Sequence, residues 1–243
     1  GHCDAERSAG RQGPMIPNLE TFADREALMA AAAQRIATAL EGAIRRHGAA
    51  CAALSGGSTP EPAYRALAAL PLDWPNVTFA LVDERFVPPN DTASNQALVQ
   101  RTLGLALDAG ARLAPMFFPA ATVELSADQA EPRYAPLRID IALMGMGDDG
   151  HTASWFPGVP ALGNALDLNN PRTVMALHAP QAAGSADRLT LTRSALSRAE
   201  RVILLIAGEE KRVRLEQALQ HDDAPVSSLF APNMPATAVL WAA

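Results

Sequence analysis

Four short apolar runs, at residues 49–54, 77–82, 139–144 and 202–206, recur along this chain, and each gives way within two residues to glycine or charge. They are too short for helices and do not alternate with polar residues, the pattern of strands buried on both faces. Helix-like stretches at 60–69, 95–107 and 209–219 separate them. Strands alternating with helices predict an α/β fold, a single domain with a mostly parallel, doubly wound sheet covered by helices on both faces. Residues 173–177, 188–192 and 237–241 are further strand candidates. Residues 21–46 carry Leu28, Ala32, Ile36, Leu40 and Ile44 at helical spacing, and Gly48 stands where that helix would end.

A hydrophobic fraction of 49% against 19% charge supplies the core such a sheet needs. The net charge of −6 offers no broad basic field, which excludes nucleic acid as a partner and leaves any anion to be held locally. Dense apolar stretches such as 202–207 fall far short of the roughly 20 residues that span a bilayer, so no membrane role is expected. Residues 1–18, rich in Gly, Pro and charge without periodicity, read as a flexible leader before one domain over 19–243. Cys3 and Cys51 make no disulfide framework, and the start lacks the layout of a signal peptide, so a cytoplasmic location is expected.

In open parallel sheets ligands bind beyond the carboxyl ends of the strands, so the segments after the apolar runs carry the search for chemistry. Ser55-Gly56-Gly57-Ser58-Thr59-Pro60 brings free N–H groups and hydroxyls to a helix start, an anion cradle without the Gly-Lys pair of a nucleotide triphosphate loop. The plainer alternative is a tight turn with Ser58 or Thr59 capping the helix. Asp83-Glu84-Arg85 offers an arginine for phosphate or carboxylate, with an acid to hold it; a solvated charge cluster is the alternative. Gly145 to Thr152, GMGDDGHT, sets His151 beside Asp149 as a general base, against a glycine-rich connection whose aspartates cap a helix from Thr152. Trp155 and Phe156 are either core anchors or a wall of the site.

Lys211 is the only lysine in the chain. Since other cations here are written as arginine, this position reads as one that needs a compact ammonium on a flexible stem, with chance survival of a lone lysine as the alternative. His47, His178 and His221 are scattered, no HxxxH, HExxH or CxxC spacing occurs, and no metal or cofactor is expected.

SGGSTP, DERFVPPND with Ser94-Asn95, MGMGDDGHTASWFPG, RLTLT from Arg188 and GEEKR from Gly208 occur in this order and resemble the 6-phosphogluconolactonases over residues 21–241. That superfamily also holds glucosamine-6-phosphate isomerases and deaminases, which typically continue Phe-Asn-Glu-Pro after the histidine, where this chain has Ala153-Ser154-Trp155-Phe156-Pro157. The resemblance implies a cofactor-free hydrolase of the pentose phosphate pathway that opens 6-phospho-D-glucono-1,5-lactone. It assigns His151 as general base and Asp149 as its orienting acid. Substrate contacts fall to Ser55, Gly56, Gly57, Ser58, Thr59, Asp83, Arg85, Gly147, Arg188 and Lys211. Trp155 stands where family members often have leucine. A glucosamine-6-phosphate isomerase or deaminase using Asp83 or Glu84 for proton transfer, and a non-catalytic sugar-phosphate sensor, are the alternatives.

Overall fold

The structure, a computed structural model, describes residues 15–243. In chain order the elements are β1 (Leu19–Thr21), α1 (Arg25–His47), β2 (Ala50–Leu54), α2 (Glu61–Ala68), β3 (Val77–Leu81), β4 (Asp83–Arg85), α3 (Asn95–Thr102), α4 (Gly104–Asp108) and β5 (Arg112–Leu113). There follow α5 (Val123–Tyr134), β6 (Ile141–Met144), α6 (Leu162–Leu166), β7 (Val174–His178), β8 (Asp187–Leu191), α7 (Arg193–Ser197), β9 (Val202–Ala207), α8 (Glu209–His221) and β10 (Thr237–Ala242). Seven strands form a parallel sheet in the order β1-β10-β9-β6-β2-β3-β5. The four apolar runs are its contiguous centre, β9-β6-β2-β3, and every residue of β2 and β6 is buried, as two covered faces require. Because these strands are parallel, the segments that follow them gather at one edge.

Helix α1 starts where the Asp24 side chain accepts the Ala27 N–H at 2.8 Å and stops at Gly48, whose φ of 76° returns its N–H to the Ile44 carbonyl. The expected start at residue 21 is too early, because Leu19–Thr21 pair with β10 as an edge strand. Of the predicted leader, residues 1–14 lie outside the described residues, while Ile16 is buried in the core. Among the described residues no helix is long and apolar enough to cross a membrane.

Three departures matter for the site. The strand candidates at 173–177 and 188–192 do not join the main sheet; they form β7 and β8, which with β4 make a separate antiparallel sheet in the order β4-β8-β7. Asp83-Glu84-Arg85 is therefore a strand, with Arg85 opposite Arg188, and not a loose rim. The expected helix over 95–107 breaks at Leu103, just before Gly104. Helix α5 went unassigned from sequence because the middle of its buried face, between Val123 and Tyr134, is made of small residues, Ser126, Ala127 and Ala130, and because Pro132 lies inside it.

Candidate active site

After β2 the chain turns sharply. The Ser55 N–H donates to the Leu143 carbonyl at 3.1 Å, and the Tyr64 hydroxyl donates to the Ser55 carbonyl at 2.6 Å, fixing the loop from both sides. Helix α2 begins after Pro60 with no side-chain cap, so neither Ser58 nor Thr59 plays the capping part of the plain-turn alternative. Among the described residues the N–H groups of 56–59 take no protein acceptor, which leaves a row of donors at a helix start. Gly56 is required by close approach: a Cβ there would stand 1.9 Å from Oδ1 of Asn95.

Beyond β6 the loop closes on itself, with the Gly147 N–H on the His151 carbonyl at 2.9 Å and the Gly150 N–H on the Gly147 carbonyl at 3.0 Å. No helix follows Thr152; its hydroxyl donates to the Gly145 carbonyl at 2.7 Å. His151 Nδ1 lies 2.5 Å from Asp149 Oδ1. The imidazole rests on bare backbone, since a Cβ on Gly147 would come within 2.1 Å of the ring. Its face meets Phe156, with ring centroids 4.3 Å apart. Trp155 is a core anchor, fully buried with Nε1 donating to the Leu191 carbonyl at 2.9 Å, whereas Phe156, which does not itself line the cleft, backs His151 and has the Arg188 guanidinium 5.3 Å from its ring centroid.

Three cations face this loop system in different states. Lys211, in the first turn of α8, donates to the Met146 carbonyl at 2.8 Å and pairs with Asp148 at 2.5 Å. Hydrogen bonding and charge from Lys211 hold the Asp148 carboxyl below its ordinary range. Arg188 is buried, donates to the Ser185 and Ala183 carbonyls and stands 3.8 Å from Asp83; burial is the main influence pulling its pKa down. Arg85 donates to the Ala93 carbonyl, but its Nε is buried without a partner and, among the described residues, no carboxylate pairs with it.

Asp83, expected either to organise Arg85 or to contact the substrate, makes no pair with Arg85; it stands 3.8 Å from Arg188 and accepts the Ser154 hydroxyl at 2.6 Å. The antiparallel register, which lays β4 against β8, brings Arg188 to it. A cleft of about 220 Å³ opens at this edge, lined by all of the residues predicted for the site except Ser58 and Asp149. Asp149 reaches it only through His151. Asn95 lines the cleft and was not singled out as a site residue, although Ser94-Asn95 was read together with the DERFVPPND segment; its two side-chain hydrogen bonds, to the Asp83 carbonyl at 2.9 Å and carboxylate at 3.3 Å, are tertiary. Among the described residues no three His, Cys, Asp or Glu side chains converge as a metal-ligand set.

A sequence model of the family described as glucosamine-6-phosphate isomerases/6-phosphogluconolactonase matches residues 23–241. The chain belongs to this family. Within the glucosamine-6-phosphate isomerase/6-phosphogluconolactonase family it is similar to proteins named 6-phosphogluconolactonase. One, from Caulobacter vibrioides, is 40% identical over 232 residues, covering 94% of this chain and 99% of that one. Another, from Rhizobium meliloti, is 40% identical over 233 residues, covering 94% and 100%. The crystal structure of a 6-phosphogluconolactonase from Shewanella baltica superposes with a TM-score of 0.89 at 31% identity, covering 95% of this chain and all of the other. A monomeric glucosamine-6-phosphate deaminase, at 22% identity and a TM-score of 0.73, shares the fold.

Proposed function

We propose that this chain hydrolyses 6-phospho-D-glucono-1,5-lactone to 6-phospho-D-gluconate, with His151 as general base. The observation that carries the reading is a single cleft holding both an imidazole fixed by a carboxylate and an anion site of free N–H groups and the Arg85 guanidinium, which among the described residues has no carboxylate partner. With its proton on Nδ1 and donated to Asp149, the ring leaves Nε2 as the basic nitrogen. Nε2 takes a proton from water as the water oxygen bonds to the lactone carbonyl carbon. The ring C–O bond then breaks, and the departing oxygen recovers the proton from the imidazolium. The N–H groups of 56–59, Arg85 and Lys211 hold the phosphate, anchoring the sugar so that the carbonyl meets the base.

An isomerase or deaminase reading needs a free acid at Asp83 or Glu84. Glu84 is fully buried and accepts four hydrogen bonds, and Asp83 is engaged by Ser154, which favours the lactonase. The test is hydrolysis of freshly prepared phosphorylated lactone over its spontaneous background, with the unphosphorylated lactone alongside. Acceleration confined to the phosphorylated lactone is expected. Ammonia release from glucosamine 6-phosphate without lactone hydrolysis would establish the deaminase, and binding without turnover the sensor.

A further inference from the structure

Glu84 has no role in the proton transfers above, yet it is the most heavily engaged carboxylate near the cleft. Its Oε1 accepts the backbone N–H groups of Arg85 and Asn95, each at 2.7 Å. Its Oε2 accepts the Gln96 N–H at 2.8 Å and the Ser94 hydroxyl at 3.1 Å. Burial raises its pKa while the three N–H donors pull it down. A carboxylate is acceptor-only, so it meets four donors without conflict, and two of these are N–H groups that the first turn of α3 leaves without helical partners.

These bonds join β4 to the start of α3 and close the loop 86–94 between them. Both residues on Oε1 send side chains into the cleft. Arg85 reaches the Ala93 carbonyl and leaves its Nε unpaired; Asn95 reaches Asp83 and fills the space over Gly56. We infer that Glu84 is a positioning residue that sets Arg85 and Asn95 for substrate binding by tying both backbones to one buried carboxylate. This rests on the proposed lactonase reading for its substrate and on the hydrogen-bond geometry for its mechanism.

The experiment is a double-mutant cycle of Glu84→Gln with Arg85→Ala, read at a temperature where circular dichroism shows each variant folded. In Glu84→Gln an amide NH2 replaces one oxygen and confronts a donor. The expected result is a KM raised about tenfold with kcat within about twofold, and a double variant whose KM rise falls short of the product of the two single rises, the remainder passing through Asn95. A merely structural role would lower the melting temperature and leave the KM effects additive. An unchanged KM in Glu84→Gln, or full additivity, overturns the inference. Should Glu84→Gln fail to fold, Glu84→Asp, which keeps the charge and retracts it, runs the same cycle with the same criteria. Wild-type turnover is measured first. If it is absent, the lactonase reading fails on its own, and the cycle is read instead in calorimetric binding of 6-phospho-D-gluconate and inorganic phosphate, where the same non-additivity is expected and additivity overturns the inference.

Discussion

One oxygen of Asp149 accepts from His151 twice, from the ring Nδ1 at 2.5 Å and from the backbone N–H at 3.0 Å. This double hold fixes both the rotation of the imidazole and its tautomer. His151→Gln is expected to lower kcat by about two orders of magnitude with KM little changed, the usual contribution of a positioned base. Asp149→Asn should lower kcat in the same direction while the protein stays folded, because an amide that donates to Nδ1 reverses the tautomer. Steady-state rates decide; a folded His151→Gln with near-normal kcat removes the histidine from the mechanism.

Gly147 should tolerate no side chain. Its Cβ would lie 2.1 Å from Cε1 and 2.2 Å from Nδ1 of His151, so Gly147→Ala must displace the ring. A kcat loss of about 10²-fold is expected, as for misplaced catalytic groups. Crystallography of the variant should show His151 moved off Asp149; full activity with the ring in place would refute the packing argument.

Lys211→Ala is expected to reduce kcat/KM for the phosphorylated lactone by about 10²-fold, the scale of a lost charge-assisted contact. The loss should be much smaller with the unphosphorylated lactone. Lys211→Arg should recover only part of the activity, because the planar fork does not fit the site where Nζ meets the Met146 carbonyl and Asp148. Full activity in the arginine variant would mean that charge alone suffices there.

On the proposed reading, in which Lys211 holds the phosphate, Asp148 competes with the substrate for Lys211. Its side chain is 97% exposed, so the pair contributes little to stability. Asp148→Asn should leave the melting temperature unchanged and lower KM about two- to threefold at low ionic strength, an advantage that salt erases. The pH sign follows from the lowered Asp148 pKa. The ion pair exists above the ordinary carboxylate range and is lost as pH falls through the depressed value, so the variants should converge in strong acid. A raised KM in Asp148→Asn would assign the aspartate to holding Lys211 for substrate.

Much of this molecule was legible from the chain alone. Unalternating runs such as 139–144 read as doubly buried strands because burial on both faces removes the need for polar residues, and Gly48 marked the end of α1 because few other residues take its φ of 76°. The clusters after those runs were expected at one place, and His151 meets most of the 55–59 loop at one cleft, since a parallel sheet delivers successive strand ends to one edge.

What the tertiary structure alone decided are the partnerships. Pairing Asp83 with Arg188 and freeing Arg85 depends on the antiparallel register of β4 with β8, which joins residues about a hundred positions apart. Asn95 enters the cleft only because Gly56, on another strand's loop, makes room, and Glu84 matters only because α3 starts against it. Local periodicity records which face of an element is buried; it carries no record of which distant donor a buried acceptor will meet.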